Sequence, residues 1–232
     1  KVVFTKCLAS YNRGKGGGVV YTSCHKFTVN SSDFTHNTRG VFIIGSERIG
    51  IVRINSCLFQ HNNCVIWASE IPKKYLLEHN LFSKHKFPTS GKIGYVPAIM
   101  ILIKVSHIYL VNNIFTHNNS TNDLTKLDDR QIIVYKSGTV IFIERNSWKL
   151  LIKNTIFSHN KVKAILAKFV SRIIIIFSVF KHNSKRVMLF SSALRMNIEN
   201  STFSYNKGSA IVAGSTDIIF MFSAFEYNSR YA

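Results

Sequence analysis

Histidine or tyrosine recurs immediately before a repeated asparagine, as Tyr11, His36, His61, His117, His159, His182, Tyr205 and Tyr227, with Lys84 in the same register. Basic residues follow within three positions in most copies: Arg13 and Lys15, Arg39, Lys86, Lys161 and Lys163, Lys185 and Arg186, Lys207, and Arg230. Aromatic faces beside cations suit sugar rings and acidic groups. His159, His182, Lys161, Lys163, Lys185 and Arg186 therefore form the candidate ligand-binding set. The competing reading is a solvated turn whose side chains only stack. Imidazoles in such a column gain charge below roughly pH 6.5.

Other chemistry is sparsely supplied. No carboxylate or thiol completes a metal set with the histidines, so no metal site is assigned. Of the 11 acidic residues, Asp123, Asp128 and Asp129 form the one cluster, inside a single stretch. Hydrolysis of a glycosidic bond needs two carboxyls roughly 5–9.5 Å apart, and no carboxylate recurs in successive repeats. No catalytic residue and no cofactor are assigned. Cys7, Cys24, Cys57 and Cys64 show neither a C-x-x-C pair nor zinc spacing, and buried or free thiols are preferred over bridges. Sequons stand at Asn30, Asn118, Asn119 and Asn200, of which Asn119 and Asn200 are the candidate glycosylation sites.

These residues must be positioned by a repeating element. Phe, two residues, then Asn recurs as Phe34–Asn37, Phe59–Asn62, Phe115–Asn118, Phe157–Asn160, Phe180–Asn183, Phe203–Asn206 and Phe225–Asn228. Degenerate copies are Ala9–Asn12 and Phe82–His85. Anchors at 12, 37, 62, 85, 118, 160, 183, 206 and 228 leave six of eight gaps at 22 to 25 residues. That period is one turn of a β-solenoid and too short for two-helix repeats.

Alignment on the anchor exposes the interior. Ten and eight residues before it, every copy is apolar, from Val2 and Phe4 to Ile218 and Phe220, and a spacing of two is the strand period. Five before, Cys7, Ser32, Cys57, Asn80, Asn113, Thr155, Ser178, Ser201 and Ser223 are small and polar or thiol-bearing, as an internal stack bonding between coils would be. Three before, phenylalanine fills eight of nine places. The anchor is expected to form an asparagine ladder at a turn and to take the left-handed backbone angles that asparagine tolerates.

The anchor, a small-residue turn and Ala-Ile (Gly208-Ser-Ala-Ile211, Gly16-Gly-Gly-Val19 and Lys163-Ala-Ile165) resemble repeats of chlamydial polymorphic outer-membrane proteins and related pectin-lyase-like β-helices. The resemblance implies an all-β, right-handed parallel β-helix, surface exposure, and adhesive or structural roles. About nine coils are expected in a single domain over 1–232, roughly 43 Å long at the spacing of stacked strands. Loop insertions are expected at about 86–97 and 119–131, projecting side by side.

Thirty Lys and Arg against 11 Asp and Glu give a formal charge of +19. Such an excess suits polyanionic partners, whether sulfated or uronic glycans, acidic proteins, anionic lipid or nucleic acid, and does not choose among them; polyanionic glycan is the expected partner and nucleic acid is not expected. The most apolar stretches, Ala98–Ile103 and Ile173–Phe180, are too short to span a bilayer, which takes roughly 20 residues. The expected function is an extracellular or cell-surface structural or adhesive module binding polyanionic glycan. The alternative is a polysaccharide lyase or glycoside hydrolase on the same fold. Solenoid ends need covering, so other chains or domains of the same assembly are expected at both.

Overall fold

One coil shows why the chain winds as it does. Ser147–Lys153 forms a strand with Leu150 and Ile152 facing inward and fully buried. Asn154, with φ 48°, turns the chain, and Thr155 points inside. A short strand, Ile156–Ser158, buries Phe157. His159, with φ 54°, makes the next turn and Asn160 again points inside. Lys163–Ala167 closes the coil as a strand buried along its whole length.

The computed structural model describes residues 1–10, 19–22, 26–37, 41–45, 50–63, 65–69, 73–87, 98–120, 139–144, 147–214 and 217–229. These stack into a parallel β-helix with two nine-stranded sheets and one of eight, and every strand pair is parallel. No helix occurs among the described residues. A further two-stranded ladder joins Lys86–Phe87 to Asn119–Ser120, so the two insertions leave the rod side by side. Residues 88–97 and 121–138, with Asp123, Asp128 and Asp129, lie outside the described residues, as do Tyr11, Asn12, Cys24, Arg39, Cys64 and Arg230.

Three interior columns hold the coils together. The phenylalanines from Phe34 to Phe225 stack with ring centroids 4.7–5.2 Å apart and interplanar angles of 2–10°. Each buried ring contributes about 1.5–3 kcal/mol. The anchor asparagines form the expected ladder: Asn160 N–H and Nδ2 both donate to Asn183 Oδ1, at 3.1 and 3.0 Å, and Nδ2 also donates to the Phe115 carbonyl at 3.0 Å. The column five before the anchor does the same with shorter side chains, as Ser178 N–H donates to Ser201 Oγ at 3.1 Å. These bonds satisfy backbone groups that the turns leave unpaired inside.

The left-handed residue is not the anchor asparagine, contrary to expectation. It is the residue before it: His36, His61, Lys84, His117, His159, His182, Tyr205 and Tyr227 all have φ of 52–56°. The anchor must turn its side chain inward, and the sharp bend that allows this falls one residue earlier. The other corner is built alike, six residues before the anchor, where Lys6, Ser31, Ser56, His79, Asn112, Asn154, Phe177, Asn200 and Phe222 have φ of 45–55°. Gly208 of the glycine half-motif has a steric cause. A Cβ there would lie 2.6 Å from Arg186 N on the coil beneath.

Candidate functional site

The corner stripe exists as a stack of rings. His36 and His61 lie 4.6 Å apart, His117 and His159 5.0 Å, His159 and His182 4.9 Å, and His182 and Tyr205 5.2 Å. Lys84 interrupts the stack between His61 and His117. Left-handed backbone at every copy is what aligns these side chains in one exposed row. Partial burial, then the neighbouring charges of His117, His182 and Lys181, holds the His159 pKa below its ordinary value.

Lys161, Lys185 and Arg186 are exposed beside this row. Lys163 is not: it is 4% exposed, inside the third sheet. Burial, with Arg186 and Lys185 nearby, lowers its pKa to about 8. Of the sequons, Asn200 is exposed at a left-handed corner, its Nδ2 3.4 Å from Glu199 Oε1. Asn119 is half-buried in the short ladder, and its N–H donates to the His85 carbonyl at 2.9 Å. Cys7 and Cys57 are free thiols in the small-residue column, and burial pushes Cys57 up to about 11.

A second cationic row, overlooked in reading the repeats, lies on the outer face of the first sheet. Eleven residues before the anchor stand Lys1, Lys26, Ile51, Lys74, His107, Lys149, Arg172, Arg195 and Asp217. The strand register sets Lys74 against His107, His107 against Lys149, Lys149 against Arg172, and Arg172 against Arg195. Neighbouring strands lie roughly 4.8 Å apart, so five cationic or ionisable side chains run straight along the rod. The salt bridges among the described residues, Arg53–Glu78 and Lys168–Glu144, involve none of them. Tyr109 lies beneath two members, with Lys74 Nζ 4.9 Å and Lys149 Nζ 5.8 Å from its ring centroid.

An interruption of the ladder adds an aromatic wall. Trp148 N–H and Lys149 N–H both donate to the Ser106 carbonyl, at 2.8 and 3.1 Å. Pairing passes from Ser147 and Val170 to Lys149 and Arg172, leaving Trp148 and Ser171 outside the ladder. Two successive residues face outward here, as Ser171-Arg172 and Leu194-Arg195 do in the next two coils, and Trp148 stands 70% exposed beside Lys149. His107, Trp148, Lys149, Ser171, Arg172 and Arg195 line a recess of about 320 Å³. Chemically, the recess offers permanent positive charge and one flat apolar surface.

The fold and this face define a β-solenoid with an uncompensated cationic row. No protein-family model, curated protein or solved structure matches the chain.

Proposed function

We propose that the protein is a structural or adhesive β-helix module of an extracellular surface or matrix assembly, and that its ligand is polyanionic glycan. The reading rests on one observation: Lys149, Arg172 and Arg195 stand in register on one sheet, none of them in a salt bridge among the described residues, with a single carboxylate in the row, Asp217, opposite Arg195. A linear chain bearing a carboxylate or sulfate on each sugar can meet such a row at successive coils. The finer kinship, with chlamydial polymorphic outer-membrane repeats and pectin-lyase-like helices, rests on the Phe-x-x-Asn anchor and the Gly208 half-motif, and it agrees with this role. An enzymatic reading would rest on Asp123, Asp128 and Asp129, which lie outside the described residues.

Retention on a heparin-like column tests the proposal. The wild-type protein should bind at low salt and elute as salt screens exposed charges beyond about 8 Å near physiological ionic strength. Replacing Lys149, Arg172 and Arg195 with Ser should move elution to much lower salt. Replacing Lys161, Lys185 and Arg186 should move it less. Equal shifts would show diffuse basicity and overturn the assignment to this face, and absence of retention by the wild type would overturn the function.

A further inference from the structure

Beside the cationic row stands a ridge of large apolar side chains that the glycan reading does not use. Trp148 is 70% exposed, Phe169 54% and Leu194 72%. They occupy three successive coils around one ladder. Ser147 pairs with Val170 and Val170 with Ala193, so Trp148 follows the first, Phe169 precedes the second and Leu194 follows the third. None of the three belongs to the buried core.

Each carries a free-energy cost without contributing to that core. Phe169 takes φ 56°, a region costing roughly 1–2 kcal/mol per residue for side chains with a Cβ. Trp148 and Leu194 leave most of their apolar surface in water, and clustered exposed apolar groups mark interaction surfaces. Lys149 and Arg195 directly follow Trp148 and Leu194, Arg172 lies three residues after Phe169, and none of the three is in a salt bridge among the described residues, although Arg195 stands opposite Asp217.

We infer that this edge of the rod docks on an anionic lipid surface. Trp148, Phe169 and Leu194 would enter the headgroup region, and Lys149, Arg172 and Arg195 would meet the lipid phosphates and carboxylates. Tryptophan favours the membrane–water interface because its ring has an apolar body and a polar N–H. A cation near an anionic leaflet contributes roughly a fivefold gain in partitioning. A zwitterionic surface would not answer three uncompensated cations, and a soluble acidic peptide would leave the ridge in water. The contact is peripheral and draws on the same three cations as the proposed glycan site, with the apolar ridge as its distinguishing part.

The test is co-sedimentation of the whole protein with phosphatidylcholine vesicles, with and without phosphatidylserine. Binding should require phosphatidylserine. Replacing Trp148, Phe169 and Leu194 with Ser should weaken it at least tenfold, and replacing Phe169 and Leu194 alone should weaken it severalfold while leaving heparin retention and the melting curve nearly unchanged. Replacing Lys149, Arg172 and Arg195 with Ser should weaken it on the order of 100-fold. Vesicle binding by the wild type that survives loss of the ridge would show a purely electrostatic contact and overturn the inference. So would failure to bind phosphatidylserine vesicles. Heparin retention, scored separately, tells either result from failure of the glycan reading. If the ridge variant melted early, the single change Trp148→Ser would decide instead, with the same loss expected in direction.

Discussion

Replacing His85 with Asn should stabilise the protein and flatten its acid sensitivity. His85 sits where the asparagine ladder calls for a carboxamide, and it is fully buried. Its Nδ1 accepts the Asn62 N–H at 3.0 Å, in place of an Oδ1, and also lies 2.8 Å from the Asn62 carbonyl. One nitrogen cannot accept from the first while donating to the second, so either tautomer leaves a buried group short of a partner. Nε2 makes no hydrogen bond, and the Phe59 carbonyl acts on the ring without reaching bonding geometry. Asn118 Oδ1 receives only the His85 N–H, at 3.2 Å, whereas Asn160 Oδ1 receives both Asn118 donors.

An asparagine at 85 would restore three bonds: Asn62 Nδ2 to its Oδ1, and its Nδ2 to Asn118 Oδ1 and to the Phe59 carbonyl. At about 0.5–1.5 kcal/mol each these contribute about 1.5–4.5 kcal/mol. Loss of ring contacts offsets about 1 kcal/mol, leaving a gain of about 1–3 kcal/mol at neutral pH. The second readout is pH. Burial lowers the His85 pKa from 6.5 to about 4. Between those values the unfolded chain binds a proton that the folded chain refuses, so stability falls as pH drops from 6.5 to 4. The full loss is about 3 kcal/mol, and His85→Asn removes it. Urea unfolding followed by far-ultraviolet circular dichroism from pH 4 to 8 measures both effects. A variant with a lower urea midpoint at pH 7 and an unchanged acid slope would refute the reasoning.

Two further outcomes follow from the same geometry. Phe177 stands 54% exposed with φ 50°, in a corner column where Asn154 and Asn200 precede and follow it; Phe177→Asn should raise the thermal midpoint, by a gain of about 1 kcal/mol. Lys163→Met removes a buried cation whose pKa falls from 10.5 to about 8. Below pH 8 that burial disfavours folding by up to about 3 kcal/mol, and the cost fades as pH rises to 10.5. The variant should therefore gain about 1–3 kcal/mol in urea at pH 7 and nothing above pH 10.5.

The interior was legible in the sequence because each interior position admits few residue types. Only phenylalanine fills the column three before the anchor in successive coils from Phe34 to Phe225, and only small polar or thiol side chains fit beside the first corner. The first left-handed column was not legible. Its residues point to solvent and their φ is imposed by the inward residue that follows, so Lys6, His79, Asn154 and Phe222 share a conformation without sharing chemistry. The third sheet was seen only in a piece, Ala98–Ile103, because loops of unequal length precede its strands and shift them against the anchor. The cationic row carried a plain signal, seven of nine residues eleven before the anchor being Lys, Arg or His. It lies on an outer face, where charged residues are common at any strand position and so say little about the fold. The ladder interruption at Trp148 depends on two N–H groups sharing Ser106, which no pattern in the residues announces.

Parallel in-register stacking gives the two stripes opposite electrostatics. In any solenoid, side chains in one column are neighbours, and like charges opposite one another repel. At about 5 Å in watery surroundings a pair of unit charges costs about 0.8 kcal/mol. The corner row relieves this cost at His159, where partial burial, then neighbouring charges, hold the pKa below its ordinary value while the ring stacks face to face on His117 and His182. Arg172 and Arg195 have no such escape from each other, since a guanidinium stays protonated and the register fixes them side by side, with Asp217 opposite Arg195 alone. Their repulsion persists in the free protein at every physiological pH, and a polyanion laid along the row reverses its sign. Attraction for a polyanion is therefore strongest where the free rod is most frustrated, on the sheet face beside Trp148. At the His159 corner the frustration arises only on acidification.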